Sequence, residues 1–438
     1  MSLKMNLPYP VRYALNALRR AGYQAYCVGG CVRDSLLGVE PNDFDLTTSA
    51  LPEETLALFK REHTLTVGLK HGTITLIKHG MPIEITTFRI DGEYEDNRRP
   101  EEVTFTSHLE EDVLRRDFTV NALCWNEQED VVDYVGGVDD LNARIIRCVG
   151  DPDTRFQEDA LRILRALRFS SKLDFDIDEA TAQAVLRSRE LLNNIAVERI
   201  AAELCKLLAG KRAEQVLLQF RPVMEVIVPP LSALSEEDYL CAARRVSLVP
   251  PVPEMRLAAL MCDLPEQQLE ETALRLKLSK KGRQFMLTLT RCAHESAPRT
   301  RSGMRRLMQE VGEEALCAVV ELQNACALAL SHLVIQQGDC VTLKQLAVNG
   351  QDLFLLGLPR KKTGDMLNRL LDQVIEGALP NRKEALLDYI RTQMNDWLQP
   401  ARSPAKPRRS RKKASKPAAP ETPPMDEPPA PAAEDSAM

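Results

Sequence analysis

Residues 26–38, with the sequence YCVGGCVRDSLLG, decide the fold predicted for the N-terminal part of the chain. A short run with strand propensity leads into Gly29 and Gly30, and a segment with helical spacing follows. A strand, a glycine turn and a helix in this order present bare backbone N–H groups at the helix N-terminus, with Arg33 close by. The stretch therefore predicts a cradle for phosphate groups that is suited to a triphosphate.

A second stretch, NDFDLTT at residues 42–48, carries two aspartates separated by one residue. Successive side chains of a strand point to opposite faces, so Asp43 and Asp45 are predicted to share one face while Phe44 turns into the core. Two carboxylates on one face can bind the same metal ion. The same pattern is also common in structural or solvated positions, so the pair alone does not identify a metal site.

Glu84 is predicted to join these aspartates as a third carboxylate. It lies in GTITLIKHGMPIEITTF, residues 72–88, where strand-like runs on either side of His79 and Gly80 predict a β-hairpin. Glu84 is flanked by Ile83 and Ile85, so its side chain faces the side of the strand opposite to these two isoleucines. Hard oxygen ligands beside a phosphate cradle favour magnesium-assisted nucleotidyl transfer.

The composition changes along the 438 residues, which are enough for more than one folded unit. Up to about residue 150, short β-branched runs alternate with turns and predict a sheet with helices. From there to residue 399, helical periodicities follow one another and predict an all-helical array. Residues 400–438 hold 10 of the 27 prolines, and a segment of this kind cannot bury enough apolar surface to fold.

Net charge and cysteine content limit the classes of protein to which this chain can belong. The formal net charge of −6 argues against a globally basic nucleic-acid coat but permits local basic patches. The 11 cysteines include no Cys-x-x-Cys pair and are predicted to be reduced thiols. The N-terminus lacks a secretory apolar core, and no run of about 18 uncharged apolar residues occurs, so we expect a cytoplasmic protein without a membrane partner.

These motifs, with several farther along the chain, resemble those of the bacterial class II tRNA nucleotidyltransferases, the CCA-adding enzymes, within the wider poly(A) polymerase family. The resemblance covers residues 10–395. Its pieces occur in the family's order, namely CVGGCVRDSLLG with NDFDLTT, then DGEYEDNRRP, RRDFTVNAL, DYVGGVDDLNARIIR, RFQEDALRILRALRF and VERIAAEL. Several short motifs in one order are more specific than any single motif.

The resemblance implies an α+β fold, in which a nucleotidyltransferase head with a mixed β-sheet and helices is followed by an all-α neck, body and tail. The implied divisions are a catalytic head at 1–150, a helical neck with the base-selecting helix at 151–215, a helical body at 216–335, a helical tRNA-binding tail at 336–399 and a disordered extension at 400–438.

By this resemblance, Asp43 and Asp45 hold catalytic Mg²⁺ ions, while the Gly29-Gly30 turn and Arg33 hold the nucleotide's phosphates. The reaction implied is in-line attack by the tRNA 3′-hydroxyl on the α-phosphate of CTP or ATP. Two magnesium ions would activate that hydroxyl and stabilise the departing pyrophosphate. The implied partners are the 3′ end of tRNA, its acceptor arm and elbow, and the two nucleotides.

The resemblance also implies that the motif RRDFTVNAL places Arg116, Asp117 and Asn121 near the ribose. A site distinguishes a ribonucleotide only when hydrogen-bond donors and acceptors meet its hydroxyl groups, which suits Asp117 and Asn121 chemically. An alternative role for Asp117 is the N-cap of a following helix.

Residues 155–169 predict one amphipathic helix with an apolar stripe formed by Phe156, Ala160, Ile163 and Leu167. By the resemblance, Asp159 and Arg162 read the base, and Glu158 orients Arg162 from one helical turn away. Cytosine and adenine both present an amino donor beside a ring-nitrogen acceptor, whereas uracil and guanine present the reverse. Without the neighbouring motifs, the same residues would be interpreted as surface ion pairs.

Three further segments are interpreted through the resemblance. DGEYEDNRRP, residues 91–100, is either a solvated loop or the flexible loop of the family members that also add the terminal A, which favours full CCA addition. Lys361, Lys362 and Gly364, before a helix, are either a cradle for tRNA phosphate or an ordinary solvated helix start. The extension is either a segment that adds sequence-independent RNA affinity or a soluble appendage. The RNA affinity would come from five basic residues, Arg408, Arg409, Arg411, Lys412 and Lys413.

Other activities compete with CCA addition. A poly(A) polymerase or an A-only adding enzyme would carry the same motifs. A non-catalytic RNA- or nucleotide-binding module would keep the fold without transfer, which the intact Asp43 and Asp45 disfavour. A His-Asp phosphohydrolase domain is disfavoured because none of the six histidines is followed by aspartate.

Overall fold

The computed structural model describes residues 3–92, 94–95, 99–100, 103–323 and 334–398. The chain divides into two units, Met1–Leu386 and Leu387–Met438. In the described ranges the strands are β1 (Ala25–Val28), β2 (Asp45–Thr48), β3 (His63–Leu65), β4 (Thr73–Lys78), β5 (Met81–Thr87), β6 (Arg89–Asp91), β7 (Tyr94–Glu95), β8 (Arg99–Pro100), β9 (Val103–Phe105), β10 (Cys124–Asn126), β11 (Asp130–Val132), β12 (Ile145–Ile146) and β13 (Asp176–Ile177).

The α-helices are α1 (Tyr9–Arg20), α2 (Gly30–Leu36), α3 (Pro52–Leu58), α4 (Leu109–Leu114), α5 (Gly137–Ala143), α6 (Pro152–Glu158), α7 (Leu161–Leu173), α8 (Glu179–Arg187), α9 (Val197–Leu208), α10 (Ala213–Gln219), α11 (Arg221–Ile227), α12 (Glu236–Leu248), α13 (Pro253–Leu260), α14 (Glu266–Arg275), α15 (Lys280–Ala293), α16 (Arg301–Val311), α17 (Glu313–Leu322), α18 (Gly350–Leu355), α19 (Arg360–Ile375) and α20 (Lys383–Leu398). Short 3₁₀ helices occur at Leu69–His71, Thr119–Asn121, Arg189–Asn194, Pro229–Ala233 and Leu343–Gln345.

Seven strands form a mixed sheet in the N-terminal region, in the order β11-β10-β1-β2-β5-β4-β3. β1 pairs antiparallel with both of its neighbours, whereas β2 and β5 run parallel. The β4–β5 hairpin turns at His79 and Gly80, whose φ angles are 50° and 78°. Two consecutive positive φ angles match the twist of a two-residue hairpin. The predicted hairpin is therefore confirmed.

The sheet is buried on both faces near its centre. On β1, Ala25 and Cys27 join the main hydrophobic core, whereas Tyr26 and Val28 join a second, smaller cluster. This division follows from the alternation of side chains along a strand. Packing from both sides fixes the end of β1, where the Gly29-Gly30 turn begins.

Helices make up nearly all the regular structure after residue 150. Among the described residues, the exception is β13, which pairs parallel with β12. Helix α7 packs along α9, and the main core continues from the sheet into these helices. The predicted α+β order is confirmed. None of the described helices has the length and apolarity needed to cross a bilayer.

Two predicted segments fall wholly or partly outside the described residues. The extension at 400–438, including its basic run, lies outside them. Of the predicted loop at 91–100, residues 93 and 96–98 also lie outside. The described parts of that loop include β7 and β8, which pair antiparallel.

Candidate active site

The Gly29-Gly30 turn joins β1 to α2, as predicted. Gly29 has φ 77° and ψ −126°, a conformation that residues with a Cβ atom rarely adopt. Its N–H donates to the Leu123 carbonyl at 3.0 Å, and its own carbonyl accepts the N–H of Arg33 at 3.1 Å. The turn is therefore anchored on both sides and needs glycine at its first position.

Arg33 lies in α2 and is almost fully buried. Its Nη1 donates to Asn121 Oδ1 at 2.5 Å, and its Nε donates to Asp34 Oδ1 at 2.8 Å. Its guanidinium carbon lies 5.4 Å from the centroid of the Phe169 ring, within the range of a cation–π contact. The structure thus brings together a residue predicted to bind phosphate, Arg33, and one predicted to lie near the ribose, Asn121.

Asp45 and Glu84 oppose each other directly on the parallel strands β2 and β5. Asp43 and Asp45 are exposed and Phe44 between them is buried, as predicted. Asp45 is open to solvent on one side, yet partial desolvation by the surrounding protein raises its pKa to about 6. The charges of Glu84 and Asp43 add to this rise, and Arg116 opposes it. Unbalanced negative charge of this kind is relieved by a bound cation.

The three carboxylates do not form a compact triad of ligand atoms. Among the described residues, one group of three potential ligands lies within 4.8 Å of one another, and it comprises Cys262, Asp263 and His294 in the helical region. There, Arg245 donates to both oxygens of Asp263, and His294 Nε2 lies 2.7 Å from the Cys262 carbonyl oxygen. The assignment of Glu84 as a third carboxylate of the metal site stays a prediction.

Asp112 is a buried carboxylate that the sequence analysis did not identify. Its Oδ1 accepts from Arg115 Nε and Nη2 at 2.9 and 2.5 Å, and its Oδ2 accepts from Arg116 Nη2 at 2.9 Å and from Thr47 Oγ1 at 3.2 Å. Burial acts to raise the pKa of Asp112, but Arg116 and Arg115 outweigh it and hold the pKa at about 2. One carboxylate therefore fixes both arginines of RRDFTVNAL.

We expect this buried carboxylate to make the fold sensitive to acid. The pKa of Asp112 is about 2 in the fold, against an ordinary value of 3.8. A lowered pKa in the folded state stabilises the fold above the ordinary value, by about 2 kcal/mol here, and this contribution is lost as the pH falls from about 5 towards 2. Urea unfolding of the wild type and Asp112→Asn should show a stability difference that shrinks over that range. A difference that is independent of pH would contradict this origin.

Asp117 is held by Arg165 of helix α7. Its Oδ2 accepts from Arg165 Nε and Nη2 at 2.8 and 2.5 Å, and its Oδ1 accepts the Phe118 N–H at 2.8 Å and the Asn121 amide at 3.4 Å. Burial acts to raise the pKa of Asp117, but the charge and hydrogen bonds of Arg165, with smaller contributions from Arg162 and the Phe118 N–H, outweigh it and hold the pKa below its ordinary value. The 3₁₀ helix Thr119–Asn121 begins after Phe118 without a side-chain cap, so the N-cap alternative is wrong.

The predicted single helix over residues 155–169 is wrong, because the backbone breaks at Asp159. There φ is −137° and ψ is 100°, between the end of α6 and the start of α7. Asp159 Oδ1 accepts the N–H of Leu161 at 3.1 Å, and its carbonyl accepts the N–H of Arg162 at 2.9 Å, so both groups serve the start of α7. Short polar residues favour helix boundaries for this reason. The predicted apolar stripe is nevertheless buried throughout, at Phe156, Ala160, Ile163 and Leu167.

Arg162 is buried, with its guanidinium already oriented. Its Nη1 pairs with Glu158 Oε2 at 2.7 Å, and its Nη2 donates to the Arg115 carbonyl at 3.1 Å. Asp159 Oδ2 pairs with Arg199 of α9 at 3.2 Å. The contact predicted between Glu158 and Arg162 is therefore present despite the break between α6 and α7. The role of Asp159 and Arg162 in base selection stays a prediction.

Arg165 and Arg199, like Asp112, were missed from the sequence although each had a local signal. Arg165 is three residues beyond Arg162 on the same helix, and Arg199 lies within the quoted VERIAAEL. Asp112 stands four residues before Arg116, the spacing at which side chains of a helix meet. Each of these charges would also fit a solvated helix surface, and only tertiary contacts distinguish the two cases.

Lys361, Lys362 and Gly364 lie inside a helix rather than before it. Helix α19 begins at Arg360, directly after Pro359, so the lysines occupy its first turn and Gly364 its second. The fixed φ of proline favours a helix start at this point. The Pro359 carbonyl accepts the N–H of Lys362 at 2.8 Å. The predicted position was wrong by a few residues, while the proximity of the lysines to a helix N-terminus is as expected.

Three families match successive parts of the chain. The family described as the poly(A) polymerase head domain matches residues 25–147. The family described as "Probable RNA and SrmB- binding site of polymerase A" matches residues 174–233, and the one described as "tRNA nucleotidyltransferase domain 2 putative" matches residues 254–390.

Relatives match over most of their length. The CCA-adding enzyme of Lactobacillus delbrueckii subsp. bulgaricus is 35% identical over 382 residues, which are 86% of this chain and 96% of that protein. That of Levilactobacillus brevis is 38% identical over 395 residues, with coverage of 86% and 96%. The crystal structure of the Bacillus stearothermophilus CCA-adding enzyme in complex with CTP matches with a TM-score of 0.69 at 30% identity and covers 89% of this chain and 100% of that one. On sequence and on structure, this chain belongs to the family of CCA-adding enzymes, the tRNA nucleotidyltransferases that share the poly(A) polymerase head.

Proposed function

We propose that this protein adds CCA to the 3′ end of tRNA from CTP and ATP, without a nucleic-acid template, and releases pyrophosphate. Its relatives are CCA-adding enzymes that it matches over nearly their whole length, and one of them is seen in complex with CTP. The observation that carries the proposal is the exposed pair Asp43 and Asp45, with Glu84 opposite Asp45 on the neighbouring strand, in a chain that belongs to the family of CCA-adding enzymes.

Asp43 and Asp45 are proposed to hold the divalent cations of the reaction, with Mg²⁺ as the ion. The raised pKa of Asp45 supports this assignment, because it arises from partial desolvation and from the nearby charges of Glu84 and Asp43, which Arg116 does not fully offset. Carboxylate oxygens are also the ligands that Mg²⁺ prefers. When bound, such ions lower the pKa of an attacking hydroxyl and neutralise the charge that develops on pyrophosphate.

The chain's own residues would orient the nucleotide around these carboxylates. Gly30 and Arg33 are proposed to hold the triphosphate through a backbone N–H group and a guanidinium. Gly29, whose own N–H donates to the Leu123 carbonyl, is proposed to contribute to phosphate binding by forming the turn. The ribose is proposed to be held by Arg116, Asp117 and Asn121. The contact between Arg33 and Asn121 supports one continuous surface for both parts of the nucleotide.

Asp159 and Arg162 are proposed to select the base. Asp159 would accept the exocyclic amino group of cytosine or adenine, and Arg162 would donate to the adjacent ring nitrogen. A carboxylate offers about four acceptor sites, and Asp159 uses its oxygens for Leu161 and Arg199 with capacity left for a base. Glu158 is proposed to set the orientation of Arg162, which its 2.7 Å contact supports.

The divisions at 1–150, 151–215, 216–335, 336–399 and 400–438 are proposed as head, neck, body, tail and extension. We propose that the tail binds the tRNA elbow, that the reaction takes place in the cytoplasm and that the loop at 91–100 belongs to the step that adds the terminal A. The exposure of Lys361 in the first turn of α19 supports a role of this region in phosphate binding.

Removal of two positive charges from the tail should weaken tRNA binding. Replacing Lys361 and Lys362 together with alanine should raise the Kd for tRNA roughly 5- to 10-fold at low salt and reduce the slope of log Kd against log salt by about 1 to 2. Filter binding across a salt series measures both. Lys280 and Lys281, also in the first turn of a helix, provide a matched control pair whose replacement should leave the slope unchanged. Equal effects of the two double variants would contradict a specific role of the tail.

A transfer assay tests the proposed function as a whole. Purified protein is incubated with Mg²⁺ and tRNA that lacks its 3′ CCA, with each nucleotide alone and with CTP and ATP together. We expect two cytidines from CTP alone and a complete CCA from the mixture. Long adenosine tracts would indicate a poly(A) polymerase, and adenosine without cytidine an A-only enzyme. Binding of tRNA without any transfer would indicate a non-catalytic module.

A further inference from the structure

We infer that Asp112 is a positioning residue for nucleotide selection, which acts by holding Arg115 and Arg116. The inference rests on the proposed function and extends it to a residue that does not contact the nucleotide. Asp112 is fully buried in the first turn of α4 and accepts hydrogen bonds from three side chains, those of Thr47, Arg115 and Arg116.

One arm of this network leads to Arg162. Arg115 Nε and Nη2 both donate to Asp112, and its Nε also lies 3.1 Å from the Arg89 carbonyl. The backbone carbonyl of the same Arg115 accepts from Arg162 Nη2. The side chain of Arg115 is thus clamped while its carbonyl orients Arg162. Release of the clamp would let this carbonyl move, and the orientation of Arg162 would change with it.

A second arm leads to β2, the strand that begins with Asp45. Arg116 donates through Nη2 to Asp112, and its Nε is buried without a hydrogen-bond partner among the described residues. Thr47 lies two residues after Asp45 on β2 and donates its hydroxyl hydrogen to the same Asp112 oxygen. Asp112 therefore joins the strand of the proposed metal site to both arginines through contacts with its two oxygens.

The geometry predicts an effect on selectivity that a purely stabilising ion pair would not have. Asp339 provides the matched comparison, because it is also a buried carboxylate that pairs with two arginines, at 2.7 Å to Arg301 and 2.8 Å to Arg305. It contacts none of the proposed site residues in the hydrogen bonds described. Loss of either carboxylate should lower the melting temperature, but only loss of Asp112 should change the choice of nucleotide.

The experiment compares Asp112→Asn with Asp339→Asn on tRNA that lacks CCA. The measured quantity is the ratio of kcat/KM for CTP to that for UTP, together with the melting temperature. We expect the ratio to fall roughly 10-fold or more in Asp112→Asn and to stay within about twofold of the wild type in Asp339→Asn. Arg115→Lys cannot bridge Asp112 and the Arg89 carbonyl in the same way, so its ratio should fall in the same direction.

A folded Asp112→Asn with the wild-type ratio would overturn the inference. Should Asp112→Asn not unfold cooperatively, Arg115→Lys decides the question, and a wild-type ratio in that variant overturns it. A reduced ratio in Asp339→Asn equal to that in Asp112→Asn would also overturn it. A wild-type protein that adds no cytidine would instead refute the proposed function, so the two failures are distinguishable.

Discussion

Asp45→Asn should reduce nucleotide transfer by roughly 1,000-fold or more, equivalent to about 4 kcal/mol of transition-state stabilisation, while raising the melting temperature of the protein without Mg²⁺. The loss of activity follows from the loss of a charged oxygen ligand. The gain in stability follows from the raised pKa of Asp45, which shows that its charge is unfavourable in the fold. Opposite signs for activity and stability distinguish a functional carboxylate from a structural one.

Single-turnover transfer with CTP and thermal unfolding in EDTA measure the two effects. Asp174→Asn is the control, because Asp174 is exposed and has φ 60°, a conformation that asparagine also adopts readily. That variant should match the wild type in both measurements. A melting temperature of Asp45→Asn well below that of the wild type would contradict the assignment of Asp45 as an electrostatically unfavourable residue.

The same carboxylate predicts how Mg²⁺ dependence changes with pH. Protons compete with the cation for Asp45 once the pH falls to its pKa of about 6. The Mg²⁺ concentration for half-maximal activity should therefore rise below that pH, by up to about 10-fold per unit, and fall to a constant level above pH 7. Titration of Mg²⁺ at several pH values measures this, and a midpoint independent of pH between 5 and 7 would contradict it.

Arg162→Ala should lower kcat/KM for CTP by roughly 100-fold, or about 3 kcal/mol, and remove most of the discrimination against UTP. The variant removes the donor that is proposed to meet the ring nitrogen of cytosine and adenine. UTP, whose ring presents a donor at that position, loses nothing. The fold should tolerate this change, because Glu158 retains Arg155 as a partner at 2.8 Å.

Steady-state transfer with CTP, ATP, UTP and GTP measures this change in selectivity. Arg187→Ala is the matched control, since Arg187 is an exposed arginine that pairs with Asp153 at 2.6 Å on the surface. It should leave all four rates within about twofold of the wild type. An Arg162→Ala enzyme that is slower with every nucleotide by the same factor would show that Arg162 supports the fold of the site without selecting the base.

Much of the head could be predicted from local sequence because its signals involve adjacent residues. The glycine turn after β1 and the burial of Phe44 between Asp43 and Asp45 follow from conformational preference and from strand alternation. The hairpin at His79 and Gly80 follows from turn chemistry. In each case the residues that determine the structure lie within a few positions of one another.

The base-selecting segment shows where local prediction fails. Its apolar spacing continues across residues 155–169 and correctly identifies the buried side chains. The same spacing does not reveal the break at Asp159, because an interruption of this kind keeps the apolar side chains on one side. The polar groups that accompany the break come partly from afar, since Arg199 lies 40 residues from Asp159.

The sequence by itself determined the family, the order of α+β and all-α regions and the identity of the acidic and basic side chains that the chemistry requires. Only the tertiary structure decided which of those charges meet, as with Arg33 and Asn121, which are 88 positions apart. It also decided that Asp112 is a buried partner of two arginines and not a solvated charge on α4. The reason is that short-range periodicity sets the face on which a side chain lies, whereas burial and pairing of charges depend on segments that only packing brings together.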